Sequence, residues 1–599
     1  MDGGSLGFFL GVARSLGGRQ WRQAPGEERM ALALAQRLGL PEVLARILAA
    51  RGIDLDAAPA FLEPRLRSAL PDPSRFKDMD KAAGRLARAV TGGERIIVFG
   101  DYDVDGATST ALLLRFLGAV GGDAGFYIPD RGREGYGPNL PALLRLKAGG
   151  ARLVVTVDCG TTAHEALAGA AAAGLEIVVV DHHVAEPALP PAFAIVNPNR
   201  LDEGGAHGQL AAVGLAFLLA VAVNRCLRQA GWYAGRAEPD LVAWLDLVAL
   251  GTICDVVPLT GINRALVAQG LKVMQGRGNA GIAALADIAG TRERLDAYHA
   301  GFILGPRVNA GGRVGSADLG TRLLATADPA LAAELAGRLD ALNAERRAIE
   351  AAVLDQAIAG IEAAAAPGPL ICAVGAGWHP GVIGIVASRL KERYNRPSLV
   401  IALPEAGGGA ALGKGSGRSV AGVALGPAIV AARQAGLVLS GGGHAMAAGF
   451  TVAAAQIPEF TAFLAARIAA ALGPGEPVAT LMIDGALAPS AATGAFLASL
   501  RRLAPFGAGN PEPRFVLPAA RLVYAEPVGG QHVRCTIAEA AGGARLKAIA
   551  FRCLETPLGA ALLERAGGLL HLAGHLRADS WSGGDAVQFC IDDAAPAAA

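Results

Sequence analysis

Three short apolar runs in this chain end on side chains that bind cations. Ile96-Ile97-Val98-Phe99-Gly100 runs into Asp101-Tyr102-Asp103-Val104-Asp105-Gly106, Val154-Val155-Thr156-Val157 into Asp158-Cys159-Gly160, and Ile177-Val178-Val179-Val180 into Asp181-His182-His183. β-Branched runs this short read as buried strands, and the Ala/Leu-rich segments between them, such as Ala107 to Leu117, read as helices. The alternation predicts a parallel sheet with crossover helices. Ligands of such sheets bind outside the carboxyl ends of the strands, so these ends can converge although they lie about 50 and 25 residues apart. An Asp after a strand is usually a turn or cap residue. Three such ends in one stretch favour a shared site.

A fourth acid, Asp255, closes the apolar segment that runs into Gly251-Thr252-Ile253-Cys254. Carboxylates gathered in a buried place repel one another and would be forced to protonate unless a cation joins them. Carboxylate with imidazole and no thiolate pattern suits Mn²⁺ or Mg²⁺ better than Zn²⁺. A carboxylate-rich metal pair about 4 Å apart is the apparatus for attack of water on a phosphodiester.

The whole chain has 599 residues, enough for several domains. Its 54 basic and 53 acidic residues leave a net charge of +1, which excludes a polycationic coat or an acidic tail and confines any nucleic-acid site to a local patch. Such a patch occurs between Arg389 and Arg418, where six Lys/Arg face Glu392 and Glu405. The longest apolar stretch, Leu210 to Val223, is 14 residues, short of the roughly 20 a bilayer needs, so no membrane association is expected. Seven scattered cysteines without a C-x-x-C pair argue for a reducing cytoplasm.

The expected organisation is α/β throughout its first parts: a leader over 1–75, a parallel-sheet catalytic domain over 76–325, and a connector helix over 326–366. A second α/β domain over 367–475 and a β-barrel over 476–599 follow. Leu331, Leu335, Leu339, Leu342, Ile349 and Val353 mark the connector from about Pro329 to Ala363. The second domain carries two Gly-rich segments, 413–417 and 440–443, read as loops, and the stretch 304–315 sets Arg307, Asn309 and Arg313 among small residues, either for phosphate contacts or as a Gly-rich connector with solvated arginines. Ala594 to Ala599 is expected to fray.

The Asp-Tyr-Asp-Val-Asp-Gly, Val-Asp-Cys-Gly, Asp-His-His and Gly-Thr-Ile-Cys-Asp-Val-Val-Pro-Leu segments together resemble the DHH phosphoesterase superfamily, and within it the RecJ family of single-strand-specific DNA exonucleases. The resemblance extends to a DHHA1 domain, on Trp378-His379-Pro380-Gly381, Lys414-Gly415-Ser416-Gly417-Arg418 and Gly441-Gly442-Gly443-His444, and to an OB-fold barrel after Pro505-Phe506-Gly507. It implies that Asp103, Asp105, Asp158, His182 and Asp255 carry two divalent ions, Mn²⁺ or Mg²⁺, with Asp158 bridging. Asp101 lies in the same motif, as a direct ligand or as an orienting group. His183 would face the scissile phosphate, with Asp181 supporting the turn and the imidazoles. Cys159 stands where the family commonly has Asn. Arg307, Asn309, Arg313, Ser416, Arg418 and His444 would contact substrate phosphates.

The implied activity is 5′→3′ hydrolysis of single-stranded DNA to 5′-mononucleotides in recombination and repair, by a cytoplasmic monomer, with single-strand-binding protein and a helicase as family-level partners. Two alternatives stand beside it. One is a phosphodiesterase for short oligoribonucleotides or cyclic dinucleotides; the other is an inactive repair scaffold. The barrel aromatics Phe506, Phe515, Tyr524, Phe551, Trp581 and Phe589 include core residues and stacking candidates, which the sequence does not separate.

Overall fold

The computed structural model describes residues 7–364, 368–405, 411–473, 478–564, 567–579 and 586–597. The chain divides into two compact units. One comprises Met1–Gly305, Thr321–Ala333 and Ala479–Ala599; the other comprises Pro306–Gly320 and Glu334–Val478.

In the first unit, five parallel strands run in the order Ala124–Tyr127, Ile96–Phe99, Leu153–Val157, Glu176–Val180, Ala194–Val196. All residues of the Ile96–Phe99 and Leu153–Val157 strands are buried, because helices cover both faces. On one face Ile97, Phe99, Val154, Ile177 and Val179 pack with Leu143, Leu167 and Ala170 of the helices Leu140–Ala148 and His164–Ala172. The helices Met79–Thr91, Val104–Ala119 and Ala212–Gln229 lie on the other face. Strand order reverses between Ile96–Phe99 and Leu153–Val157, and this switch point is where doubly wound sheets open a ligand crevice. The Ala124–Tyr127 strand has no counterpart in the apolar pattern. It is a half-buried edge strand containing a glycine, too mixed to show a period.

Ala212–Gln229 is long and apolar enough to cross a membrane by length and composition, and 72% of it is buried inside the fold. Its burial is that of a core helix.

The barrel closes through five strands, Phe515–Val528, His532–Ala538, Leu546–Ala550, Val587–Pro596 and Leu569–Ala578, the last pairing back to the first. The leader joins it. The Gln20–Gln23 strand pairs in parallel with Thr480–Ile483, and buried Asp593 accepts hydrogen bonds from Ser15 Oγ at 2.6 Å, Trp21 Nε1 at 3.0 Å and the Gly17 N–H at 3.0 Å. These bonds correct the expectation of a frayed end, since Ala594 to Pro596 complete the Val587–Pro596 strand and Ala594 is fully buried. Ala598 and Ala599 lie outside the described residues, as does Trp581. Phe515 and Phe589 are core residues, whereas Tyr524 and Phe551 are half exposed.

Arg264, on the helix Gly261–Gln275, ties the pieces of this unit together. Its guanidinium is buried over the Phe61 ring and donates to the carbonyls of Phe61, Leu503, Ala504 and Pro505 at 2.7 to 3.4 Å. Burial pulls its pKa down to about 10, still charged at neutral pH. Arg264→Ala leaves those carbonyls without their donor, and a loss of about 3 kcal/mol or more is expected. A urea titration checks this, and an unchanged midpoint would refute it.

The second unit holds the sheet Ser440–Gly443, Ala447–Ala453, Leu412–Arg418, Ser398–Leu403, Ile371–Ala376, parallel only in its last pair. Both Gly-rich segments are therefore strands and not loops. The reason is packing: a Cβ at Gly413, Gly415 or Gly417 would lie 2.8 Å from Ile401, 2.1 Å from Phe450 or 2.6 Å from Leu425. Glycine alternates on the core face so that large neighbours fill it, which leaves Lys414, Ser416 and Arg418 on the other face.

The stretch expected to be a Gly-rich connector is likewise helical, Gly305–Val314, entered through a π-helical turn at His299–Leu304. The long helix spans Pro329–Ala363 as its periodicity implies. Its C-terminal part packs Val353 and Ala357 into the core beside Trp378 and Val382, so that part belongs to the second unit's core.

Candidate metal centre

Each acid at the switch point is held by a different device. Asp103 caps the helix Val104–Ala119, accepting from the Gly106 N–H at 3.0 Å. Gly106 is required because a Cβ would lie 2.5 Å from the Asp101 carbonyl oxygen, and only glycine lets the helix press onto that loop. Asp105 is buried and accepts from the Ala212 and Val213 N–H groups at 2.7 and 2.9 Å, at the start of the Ala212–Gln229 helix. Asp158 sits at φ +60°, a left-handed conformation that Asp tolerates better than most residues. Asp255 follows the helix Leu245–Cys254 as its C-cap.

These devices bring the acids together around His182. Its Nε2 lies 3.2 Å from Asp158, 3.7 Å from Asp255 and 3.9 Å from Asp105. Three overlapping groups have ligand atoms within 4.8 Å of one another: Asp101, Asp103 and Asp158; Asp158, His182 and His183; Asp105, His182 and Asp255. Asp158 and His182 each belong to two of them. Asp181 stands apart in role: it accepts from the Thr161, His182 and His183 N–H groups and pairs with His183 Nδ1 at 2.7 Å.

The electrostatics show that the acids outnumber the cations beside them, Arg131 and His183. Burial, then repulsion from neighbouring acids, pushes Asp101 up to about 6, Asp105 to about 7 and Asp255 to about 9, and raises Asp158 well above the carboxylate range. Burial and the nearby His183 hold His182 down at about 4, so it is neutral at pH 7, while its ring also hydrogen-bonds the Leu210 backbone. His183 moves the other way: burial opposes its charge, but the bond to Asp181 raises its pKa, and that bond holds Asp181 low against its own burial.

Three buried atoms of the cluster, Asp101 Oδ1, His182 Nε2 and Asp255 Oδ2, have no hydrogen-bond partner among the described residues. Unpaired oxygens and an imidazole nitrogen that converge in a surplus of negative charge fit a divalent cation.

Several residues of this site carry no sequence signal. Arg131 bonds Asp101 Oδ2 at 2.7 Å and lies against the Tyr102 and Tyr136 rings. Tyr136 donates to the Asp158 carbonyl oxygen at 2.8 Å. Asn197 and Asn199 donate to the carbonyls of His183 and His182 and so hold the histidine turn. Cys159 is buried in the apolar cluster with Ile97, Phe99 and Val154, its Sγ 3.4 Å from the Val157 carbonyl oxygen.

The phosphate-contact candidates lie in the second unit. Arg313 donates to the Gly381 carbonyl at 2.9 Å, at the start of the helix Pro380–Tyr394, which is capped by His379. At Gly384 on that helix, a Cβ would approach Arg418 Nη2 to 3.0 Å and Ser416 Oγ to 3.1 Å. Arg418 donates to Ser416 Oγ at 3.1 Å, and burial, then the charge of Arg313, lowers its pKa. Arg307 is paired with Asp340 at 2.8 Å, and Asn309 Oδ1 is buried without a partner among the described residues. His444 is exposed in the hairpin turn leading to Ala447, the register partner of Arg418.

Comparison with known proteins matches three family models: the DHH family N-terminal domain over residues 95–252, the DHHA1 domain over 368–470 and the RecJ OB domain over 483–593. The chain is 40% identical over 523 residues to the single-stranded-DNA-specific exonuclease RecJ of Dickeya dadantii (strain 3937), covering 86% of this chain and 89% of that protein. It is 38% identical over 524 residues to RecJ of Escherichia coli (strain K12), with the same coverages. The crystal structure of RecJ with Mn²⁺ from Thermus thermophilus superposes with a TM-score of 0.78 at 31% identity, covering 97% of this chain and 80% of that one. The Mg²⁺ complex of that protein gives 0.72 at 30% identity, covering 97% and 79%.

Proposed function

The chain belongs to the RecJ family of single-stranded-DNA-specific exonucleases, and on that premise we propose that it hydrolyses single-stranded DNA from the 5′ end, releasing 5′-mononucleotides. The observation that carries the reading is the convergence of Asp101 Oδ1, His182 Nε2 and Asp255 Oδ2, buried and unpaired, on one acidic cluster. Asp101, Asp103, Asp105, Asp158, His182 and Asp255 would hold two Mn²⁺ or Mg²⁺ ions. Such ions supply Lewis-acid activation of water and neutralise charge on the leaving oxygen.

The residues of the chain do the rest. His182, kept neutral, holds its Nε2 among Asp158, Asp255 and Asp105, where its lone pair would complete the ligands of a cation. His183, favoured in its charged form by Asp181, would stabilise negative charge developing on the phosphate. Arg131 partly offsets the charge of Asp101, and Asn197 and Asn199 fix the two histidines in place. Arg307, Asn309, Arg313, Ser416, Arg418 and His444 are assigned to substrate phosphates, where guanidiniums bind bidentately and the helix start at Pro380 adds backbone N–H groups.

The wider role follows as part of the proposal: a monomer acting in the cytoplasm in recombination and repair, supplied with single strands by a helicase and meeting single-strand-binding protein on them. A small-substrate phosphodiesterase would not require the barrel or the leader strand that completes it.

Digestion of end-labelled single strands tests the reading. Release is expected from the 5′ end, with Mn²⁺ or Mg²⁺ required, and a 5′ block should stop it while a 3′ block does not. Release from the 3′ end first, or activity in chelator, would overturn it.

A further inference from the structure

The π-helical turn His299–Leu304 and its N-cap residue Tyr298 present two aromatic rings that the metal centre does not use. Tyr298 and Phe302 stack with centroids 5.3 Å apart and an interplanar angle of 28°. Phe302 is 72% exposed and Tyr298 48%, so two large rings meet solvent side by side. The rings stand on a firm base next to Asp255. Cys254 Sγ meets the Ala300 carbonyl at 3.5 Å, and a Cβ at Gly301 would lie 3.2 Å from Ile253, so the turn packs on the last turn of the helix that Asp255 ends. From the barrel strand Leu569–Ala578, the Arg577 guanidinium lies 5.5 Å from the centre of the Tyr298 ring and is held by both carboxylate oxygens of Glu512 at 2.7 and 3.2 Å.

We infer that Phe302, stacked on Tyr298 beside Arg577, is a stacking step for a base of the single strand between the barrel and the metal centre. The inference rests on the single-stranded-DNA reading above and deepens it by naming a base-contacting residue outside the barrel. A flat exposed ring, backed by a second ring and a nearby cation, matches a nucleobase, which offers a π-face whatever its identity. A protein partner fits less well, because two rings are far smaller than the roughly 800 Å² per side of a stable interface. The π-turn itself is a wide, locally costly geometry that recurs at functional sites.

The test uses a single strand carrying 2-aminopurine at successive positions from its 5′ end, bound to the full chain in chelator so that nothing turns over. Wild-type protein is expected to quench the probe at one or two positions. Phe302→Ala should abolish that quench and weaken binding about 10-fold, within the range for loss of one stacked base, and Phe302→Trp should restore both. In Mn²⁺, KM for long strands should rise more in Phe302→Ala than kcat falls. Because the ring is exposed, the variant should fold, and an unchanged thermal midpoint verifies that. Quenching and KM equal to wild type in Phe302→Ala would overturn the inference. Failure of the underlying reading looks different, since wild-type protein would then not bind the single strand at all.

Discussion

Asp158→Ala is expected to abolish hydrolysis, by about a thousandfold or more, while the fold is kept. The size follows from the proposed role. A carboxylate shared by two groups of candidate ligands would serve both ions, and two-metal chemistry contributes several kcal/mol at about 1.4 kcal/mol per tenfold in rate. The fold should survive because the Asp158 side chain is a source of repulsion in the folded state: burial and its acidic neighbours raise its pKa far above the ordinary value. Since a conformation at φ +60° suits Asn as well as Asp, Asp158→Asn is the cleaner variant. Single-turnover hydrolysis and circular dichroism measure the two effects, and a variant that keeps a tenth of wild-type activity would contradict the assignment.

The second large effect is a pH-dependent loss of stability when metal is withheld. Asp101, Asp105 and Asp255 are raised to about 6, 7 and 9, above the carboxylate values of an unfolded chain. The folded metal-free protein therefore binds more protons than the unfolded chain between about pH 4 and pH 9, and its stability falls as pH rises through that window. His183 adds in the same direction, since its raised pKa contributes stability that is lost as it deprotonates. Asp181, held low, acts only in more acidic solution, where its protonation costs stability. The thermal midpoint in chelator should drop steadily toward alkaline pH and recover on adding Mn²⁺, and Asp158→Asn should raise it. A midpoint flat in pH and indifferent to Mn²⁺ would show that the acids are not the strained cluster described.

How much of this was legible in the sequence depended on whether a residue's partner was local. Asp101, Asp103, Asp158 and His182 could be read because a buried strand ends beside each of them and the parallel-sheet rule gathers such ends. Asp255 was legible as an acid closing an apolar segment. Its anchoring on a helix end, and that of Asp105 on the Ala212 and Val213 N–H groups, depend on elements distant in the chain. Arg131 and Tyr136 escaped because they follow an edge strand whose burial is too mixed to give a period. The 413–417 segment escaped for the opposite reason: its glycines suggested a loop, and only the rings and branched chains of Phe450, Ile401 and Leu425 explain why a strand needs them there. The near-neutral bulk charge likewise said nothing of the site, where acids collect around His182 in one unit while Arg418 meets Ser416, and Arg313 the Gly381 carbonyl, in the other.

The central claim is that the acidic cluster is a two-ion centre that cuts single-stranded DNA. Its most direct test is equilibrium binding of Mn²⁺, read from the EPR signal of the free ion, to wild type and Asp158→Asn, with hydrolysis of a 5′-labelled single strand measured on the same samples. Two ions per wild-type chain are expected, with at most one in the variant, and hydrolysis should vanish together with the second ion. Unchanged binding of both ions by the variant, or hydrolysis that survives their removal, would contradict the account.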